Sequence, residues 1–239
     1  PAAVSQCIAG DARAASMRDI GAATVPDVNS QAWYPAKYPF SISRSGVAIN
    51  YTPWLRQLTN DIALLNAAGY YRIGDYQAVS GSLRYFSLGE VITETGDMTI
   101  KPYEMAVDIA YSRMLSETFS AAVALRYIYS DLSGHYDDNV KPGSAFAADI
   151  SAYNQSYVLI GQRECQLGLG LNISNIGSKI SYGDDYSYFI PTNLRLGASL
   201  MVPIDEYNRI SFSADVNKLL VPSMPLKLEG EEEADYQDR

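Results

Sequence analysis

The residues that could carry out catalysis are few, and their spacing does not favour an active site. The single histidine, His135, lies between Ser133 and Asp137, and these are the three residue types of a hydrolytic triad. A triad holds its nucleophile, base and orienting acid at fixed positions, whereas these three are neighbours in one predicted loop. We therefore expect no enzymatic activity. The carboxylates that follow His135 could bind a cation, but a solvated loop is the simpler interpretation.

The sequence motifs that could bind a cofactor or a metal ion are incomplete. Gly168-Leu169-Gly170 begins like a dinucleotide-binding loop, but Ile173 stands at the third glycine position and no helix is predicted after it. Cys7 and Cys165 form neither a CxxC pair nor a zinc spacing. We therefore expect no cofactor and no metal ion. The two thiols could pair in an oxidising compartment, although Cys165 falls on the apolar row of a predicted strand.

Composition and charge exclude further classes of protein. The chain has 239 residues and a formal net charge of −9, whereas a nucleic-acid-binding protein needs a basic surface. Its longest uncharged run, residues 165–178, is interrupted by glycine and asparagine, so no stretch provides the roughly 17–25 apolar residues of a spanning helix. The chain contains 19 tyrosines, a residue type that collects where an apolar region meets water.

Period-two alternation is the main structural pattern of the chain. In residues 103–113 an apolar row that includes Val107 and Ile109 alternates with a row of small residues that carries Glu104 and Asp108. Such alternation predicts strands with one apolar and one polar face. Nine strands are predicted, at residues 46–53, 61–73, 76–87, 102–114, 117–130, 145–154, 163–174, 192–202 and 208–218.

The predicted strands suit a membrane wall better than a soluble core. Most are about ten residues long, as a tilted transmembrane strand requires. Their apolar rows end in tyrosine or phenylalanine, and their polar rows carry isolated charges that we expect in a lumen, either as a fixed charge ladder or along a substrate path: Arg84, Glu104, Asp108 and Arg126. The predicted fold class is all-β, a transmembrane antiparallel outer-membrane β-barrel. A soluble β-sandwich or lipocalin-type barrel also alternates, but its strands are usually shorter and its apolar face is bulkier.

Connections between the predicted strands alternate in length. Short links occupy 74–75, 115–116 and 203–207, a less regular link occupies 155–162, and longer links occupy 54–60, 88–101, 131–144 and 175–191. Short periplasmic turns and long extracellular loops are typical of outer-membrane barrels. Residues 1–45 precede the first strand on the short-turn side, so we expect this segment to be periplasmic.

Residues 1–45 are predicted to form a hatch that folds into the periplasmic mouth. Their periodicity is broken, and they contain prolines that do not suit strands inside a sheet, namely Pro26, Pro35 and Pro39. We expect Trp33 to be an apolar anchor and three charged residues to form a network within the hatch: Asp11, Arg13 and Asp19. The alternative is a solvated, partly ordered N-terminal arm.

The strand count indicates an incomplete barrel. The predicted strands cover residues 46–218, and residues 219–239 form an acidic, non-apolar segment that we interpret as an extracellular loop. Single-chain bacterial barrels have an even number of strands, whereas nine is odd. An open edge strand would also leave its backbone polar groups unsatisfied in lipid. We therefore expect this chain to be the first part of a longer barrel.

Several longer motifs of the chain point to one family. They are Asp11-Ala12-Arg13-Ala14-Ala15-Ser16-Met17, Asp19-Ile20-Gly21-Ala22-Ala23-Thr24, Pro26-Asp27, Trp33-Tyr34-Pro35-Ala36-Lys37, Tyr51-Thr52-Pro53-Trp54-Leu55, Leu83-Arg84-Tyr85-Phe86-Ser87-Leu88-Gly89 and the run from Gly168 to Gly177. Together these motifs resemble PorV, the outer-membrane shuttle component of the type IX secretion system. The resemblance extends to about Pro222. Arg18 stands where the family usually has glycine, and Tyr34 where it usually has asparagine.

This resemblance implies a fatty-acid-transporter-like barrel of about fourteen strands with an N-terminal hatch. It also implies a location in the outer membrane of a Gram-negative bacterium, in contact with outer-membrane lipids. A PorV-like protein collects secreted cargo that bears a C-terminal signal domain from the type IX translocon. It then delivers the cargo to a cell-surface attachment complex that includes a sortase-like member.

The long predicted loops carry the aromatic residues that we expect to contact cargo. These residues are Tyr136, Tyr182, Tyr186, Tyr188 and Phe189. Aromatic side chains are enriched at protein interfaces, although Tyr188 and Phe189 would equally mark the outer girdle of a barrel. The alternative function is an outer-membrane transporter of hydrophobic small molecules, like long-chain fatty-acid transporters. That alternative predicts an apolar pocket beneath the hatch and a lateral gap in the wall.

Overall fold

The computed structural model describes residues 2–8, 10–17, 19–32, 34–54, 56–57, 59, 61–92, 99–132, 141–183 and 187–221. Within these ranges, helices occur only near the N-terminus, as α1 (Ala12–Ser16) and three 3-10 helices at Val4–Cys7, Val28–Ala32 and Pro35–Phe40. The Asp11 side chain caps α1 by accepting a 2.8 Å hydrogen bond from the Ala14 N–H, which satisfies one of the free donors at the helix start. None of the helices in the described ranges has the length and apolar character to cross a membrane.

Strands make up most of the remaining structure. In chain order they are β1 (Ser45–Pro53), β2 (Ile62–Ile73), β3 (Gln77–Leu88), β4 (Val91–Ile92), β5 (Thr99–Ile100), β6 (Tyr103–Met114), β7 (Phe119–Asp131), β8 (Gly143–Ile160), β9 (Arg163–Gly177), β10 (Ile180–Ser181), β11 (Ser187–Tyr188), β12 (Asn193–Pro203) and β13 (Arg209–Leu219).

Nine of these strands form one antiparallel sheet in the order β1-β2-β3-β6-β7-β8-β9-β12-β13. The other four pair as β4 with β5 and β10 with β11. The all-β class and the nine long strands predicted from alternation are therefore confirmed. Closure into a barrel of about fourteen strands stays a prediction.

The two faces of the sheet differ as the alternation predicts. On β6, Ala106 and Asp108 are buried while Val107 and Ile109 are exposed. We call the side with the buried row the inner face and the opposite side the outer face. Many large apolar side chains lie uncovered on the outer face, and Ile109 is 63% exposed. A single sheet that exposes its apolar row so widely is suited to lipid rather than water.

The connections lie at two distinct ends of the sheet. At the short-turn end lie residues 74–76, 115–118, 161–162 and 204–208. At the long-loop end lie the described residues that connect β1 to β2, β3 to β6, β7 to β8 and β9 to β12. Gly74 and Gly161 have left-handed φ values of 69° and 66°, which glycine adopts without the strain that a Cβ would add.

Two connections differ from the sequence-based expectation. The link after β9 begins later than predicted, because β9 continues to Gly177, and the link after β8 is shorter than predicted. We predicted a link of about eight residues at 155–162, but β8 continues to Ile160 and only Gly161 and Gln162 form the turn. The polar run Asn154-Gln155-Ser156 hides the alternation at this point, yet these residues stay paired with β9 through partners such as Gly168. The ladder bonds of a long hairpin therefore override the local composition.

The described residues of 2–41, which we call the N-terminal segment, cover the inner face. The Asn29 side chain accepts a 2.8 Å hydrogen bond from Asn50 on β1, and the Gly21 N–H donates a 2.9 Å hydrogen bond to Asp215 on β13. One segment thus touches both edge strands, so the sheet curves around it. No described residue of the segment joins the main sheet.

The N-terminal segment extends between the two ends of the sheet. Near β1 it lies at the short-turn end, because Arg72 donates a 2.7 Å hydrogen bond to the Ser41 carbonyl. Its first residues lie at the opposite end, where the Ala2 N–H donates a 2.9 Å hydrogen bond to the Phe189 carbonyl. The segment therefore runs the whole length of the inner face, held by contacts that are distant in sequence.

Candidate functional site

A buried charge cluster occupies the inner face of β6, β7 and β8. Arg126 lies 2.9 Å from Asp149 and 3.6 Å from Asp108, and it donates a 2.6 Å hydrogen bond to the Asn175 side chain. All three charged side chains are at least nine-tenths buried. Burying an ion pair has a large desolvation cost, which this cluster offsets by giving Arg126 several partners. The cluster is therefore built to be rigid.

The other charges that we predicted for the lumen bind the backbone of the N-terminal segment. Arg84 donates hydrogen bonds to the carbonyls of Ser5 at 2.9 Å and Ile8 at 3.2 Å, and Glu104 accepts one from the Ser5 N–H at 3.2 Å. Asp108 also accepts a hydrogen bond from the Gln31 amide. The inner-face charges thus hold the segment in place.

A glycine seat receives the middle of the N-terminal segment. The seat comprises Gly168 and Gly170 on β9 and Gly197 on β12. A Cβ at Gly168 would lie 2.6 Å from the Ala23 carbonyl oxygen, and one at Gly170 would overlap the Ala22 carbonyl. The glycines that begin like a dinucleotide-binding loop therefore allow close approach of backbone to backbone.

Asp215 and Arg195 fix the same part of the segment from β13 and β12. Asp215 accepts hydrogen bonds from the N–H groups of Gly21 and Ala22 at 2.9 and 2.8 Å. Arg195 donates a 2.8 Å hydrogen bond to the Asp19 carbonyl. We did not single out either residue from the sequence, because a charge on a polar row shows which face it occupies but not its partner.

Lys37 is buried where the N-terminal segment meets the inner face. Its ammonium donates hydrogen bonds to the Gly21 carbonyl and, at 3.1 Å, to the Thr24 hydroxyl. It also lies 5.6 Å from the centroid of the Tyr34 ring, a favourable position for a cation. No carboxylate pairs with it among the described residues, and burial lowers the pKa of Lys37 from its ordinary 10.5 to about 7.

The described contacts of the predicted hatch residues reach different parts of the molecule. Asp11 caps α1, whereas Arg13 forms a separate 2.5 Å ion pair with Asp27. Asp19 takes part through its backbone carbonyl, as the acceptor for Arg195. Trp33 lies outside the described residues.

The long-loop end is closed by a small apolar cluster. Ala3, Ile180 and Ile190 are almost fully buried there, together with Ala106, Ile128, Ala145 and Ala147. The N-terminus and the connection between β9 and β12 thus pack against each other over the inner face. Two exposed aromatic side chains project from the same connection, Tyr188 at 41% and Phe189 at 44% exposure.

The five predicted cargo-contact residues divide into three groups. Tyr188 and Phe189 are exposed, and the Lys179 ammonium lies 4.4 Å from the Phe189 ring centroid. Tyr182 is half-buried and donates a 2.9 Å hydrogen bond to Ser130, so it supports the loop. Tyr136 and Tyr186 lie outside the described residues.

Comparison with known protein families identifies the family to which this chain is related. A family model described as type IX secretion system protein PorV matches residues 2–226. This chain belongs to the PorV family. No curated protein matches the chain. Proteins of this family are components of the type IX secretion system. The all-β fold is consistent with their outer-membrane location.

Two larger cavities, besides a small one of about 10 Å³, adjoin the N-terminal segment of this PorV-family protein. The first, of about 260 Å³, has a polar lining of arginine and asparagine side chains that includes Arg84, Arg126, Arg195, Asn172, Asn175 and Asn217. The second, of about 270 Å³, lies against β12 and β13 and includes apolar side chains of the segment, such as Met17, Ile20 and Val25. Of these two larger cavities beside the N-terminal segment, only the second could accommodate a mainly apolar ligand.

Proposed function

We propose that this PorV-family protein is a non-enzymatic carrier in the outer membrane. It binds the C-terminal signal domain of secreted cargo and delivers it from the translocon to the cell-surface attachment complex. Its N-terminal segment is on the periplasmic side where it enters β1. The observation that carries this proposal is the covered inner face: the described residues of the N-terminal segment contact it from β1 to β13. A macromolecular partner would therefore bind at one of the two rims of the molecule, which are the short-turn end and the long-loop end of the sheet.

The long-loop end is the better of the two rims for cargo binding. Its connections are longer than those of the short-turn end, and loops held on a rigid scaffold are where recognition usually resides. Tyr188 and Phe189 are exposed there on a connection anchored by buried Ile180 and Ile190. Exposed aromatics on a fixed support lose little conformational entropy on binding, which suits them to be central contacts.

One observation favours the alternative, a transporter of hydrophobic small molecules. The cavity near Met17 and Ile20 is partly apolar and lies beside the N-terminal segment, as a fatty-acid path would require. The other inner cavity is lined by three arginines and several asparagines, which would desolvate poorly around an acyl chain. Delivery of cargo therefore has the stronger support.

Replacing the exposed aromatics tests the proposal directly. The double substitution Tyr188→Ser and Phe189→Ser in the full-length protein should abolish co-purification of cargo bearing the signal domain. The barrel should still insert, as judged by heat-modifiable migration on gels. The control is Tyr207→Ser, because Tyr207 is 89% exposed at the short-turn end. Cargo capture that survives the double substitution would refute this assignment, and a co-purified free fatty acid would favour transport.

A further inference from the structure

The outer face carries a groove that the proposed delivery role does not use. Its volume is about 540 Å³, and it crosses β6, β7, β8 and β9. Its apolar walls are formed by Val107, Ile109, Leu125, Tyr127, Phe146 and Ile176. Ala148 forms the floor, since it pairs with Leu125 on one side and Ile176 on the other and is the smallest side chain in this row. The groove is thus a gap left by one small residue among large ones.

A β-bulge shapes one wall of the groove. The register of β8 and β9 shifts between Ala148 and Ile150, which pair with Ile176 and Ile173. The two intervening residues of β9, Ser174 and Asn175, therefore face only Asp149. Asn175 has a left-handed φ of 56°, a conformation that asparagine tolerates better than most residues. The bulge interrupts the regular ladder and bends the strand at the edge of the groove, next to Ile176.

The inner-face charge cluster stabilises this bulge. The Asn175 N–H, which the ladder leaves without a strand partner, donates a 2.7 Å hydrogen bond to Asp149. The Asn175 amide donates a 3.1 Å hydrogen bond to the Pro191 carbonyl, and the Thr192 hydroxyl donates one of 2.7 Å to the Asn175 carbonyl. Lipid cannot satisfy such groups, so the partners must come from inside. The groove is consequently part of a fixed wall rather than a transient opening.

The position of the groove along the strands indicates what surrounds it. Tyr103 and Tyr111 stand near the two ends of the outward row of β6, and Val107 and Ile109 lie between them. The eight residue steps from Tyr103 to Tyr111 span about 27 Å along the strand. At a strand tilt of about 35–45° this is roughly 19–22 Å of height, which lies within the apolar band of about 25 Å in an outer-membrane barrel. Tyr103 also stacks with Tyr85 at 5.4 Å between ring centroids, as expected for an aromatic girdle. The groove therefore lies at the depth of lipid hydrocarbon.

We propose that this groove is a binding site for one acyl chain of an outer-membrane lipid. The groove is continuous with the lipid-facing row on every side, and Phe146, Ile109 and Leu125 remain 60–70% exposed around it. The Tyr127 and Phe146 rings, 5.1 Å apart, provide an aromatic edge against which a hydrocarbon chain can pack. Apolar area and close packing, rather than charge, would give the affinity.

Photocrosslinking tests the site in the full-length protein. The probe is phosphatidylethanolamine with a diazirine midway along one acyl chain, in phosphatidylethanolamine vesicles that hold the purified protein. We expect peptides containing Ala148 and Ile176 to be labelled several-fold more than peptides from the rest of the outer face. Ala148→Phe should remove this excess by filling the groove. The matched control is Ala152→Phe, which adds the same ring on the same face of β8 outside the groove.

Three outcomes would overturn the proposal. The first is even labelling of the outer face, which indicates ordinary surrounding lipid. The second is an excess that persists in Ala148→Phe while the barrel keeps its heat-modifiable migration. The third is labelling in vesicles that disappears in native outer membranes, which indicates that a protein partner occupies the groove. Ala148→Leu, a smaller change, replaces Ala148→Phe if the larger ring prevents insertion.

Discussion

At the scale of single residues, Lys37 makes the stability of the N-terminal segment depend on pH. Burial lowers the pKa of Lys37 to about 7, whereas an exposed lysine titrates near 10.5. Between these values the unfolded state binds more protons than the folded state, so stability rises with pH. Below about pH 7 both states are protonated and the desolvation cost is present in full. We therefore expect the melting temperature to increase from about pH 7 toward pH 10.

This effect of Lys37 can be separated from that of the buried tyrosines. Burial raises the pKa of Tyr34 and Tyr38, so their ionisation opposes folding only above about pH 10. Melting curves should therefore be compared below that limit. Lys37→Met should remove the increase, because methionine has similar length and no titrating group. An unchanged slope in Lys37→Met would assign the pH dependence to other groups.

Gly170 lets the N-terminal segment pack closely against the glycine seat, because its lack of a Cβ leaves room for the Ala22 carbonyl. A Cβ there would overlap the Ala22 carbonyl and lie 3.3 Å from the Tyr34 ring, so Gly170→Ala should displace residues 21–23. Overpacking of this kind costs about 1–3 kcal/mol. Limited proteolysis should then cut residues 2–41 faster while the strands stay protected. Gly69→Ala is the control, because its Cβ would meet nothing closer than 3.3 Å; equal cleavage in the two variants would contradict the expectation.

At the scale of elements, the bulge in β9 should depend on both the backbone and the side chain of Asn175. Asn175→Gly keeps the left-handed φ without strain but loses the side-chain bonds to Arg126 and Pro191. Asn175→Ala loses the same bonds and adds about 1 kcal/mol or more of backbone strain. Both should lower the heat-modification temperature, and alanine should lower it further. A reversed order would mean that the bulge relaxes into a regular ladder.

The strands show which parts of the fold alternation can predict. β6 and β7 follow strict period two, because one face meets the N-terminal segment and the other meets an apolar environment, so their limits were predicted closely. The last residues of β8 were missed because Asn154-Gln155-Ser156 are polar on both faces. The bulge was missed because the predicted strand ended at residue 174, so Asn175 was assigned to the following link, whereas β9 continues to Gly177. The alternation of apolar and polar residues identifies a strand, whereas its hydrogen bonds with the neighbouring strand determine where it ends or bends.

The sequence predicted which face of the sheet the site residues occupy, but not which groups they contact. Arg84 and Glu104 were expected in a lumen, and both are buried on the inner face. Their ligands, the backbone groups of Ser5 and Ile8, come from a segment that carries no periodic signal. Ser5 and Glu104 are 99 positions apart, and no local pattern encodes a contact of that separation. The long-range contacts of the N-terminal segment therefore had to come from the structure.

At the scale of the whole molecule, the two ends of the sheet should face opposite sides of the outer membrane. Lys179 is exposed at the long-loop end and Glu206 at the short-turn end. We expect Lys179→Cys to react with a membrane-impermeant maleimide on intact cells, since long loops of such barrels are extracellular. Glu206→Cys should react only after the outer membrane is permeabilised.

The labelling experiment needs a background without the native reactive thiol. Cys7 is exposed and free, so Cys7→Ser should precede both substitutions, whereas Cys165 is buried and can stay. Reaction of Glu206→Cys on intact cells, with Lys179→Cys protected, would invert the assignment. The exposed Tyr188 and Phe189 would then face the periplasm, and the rim that carries them could not hand cargo to a complex on the cell surface. The sidedness of these two residues thus tests the delivery role independently of cargo capture.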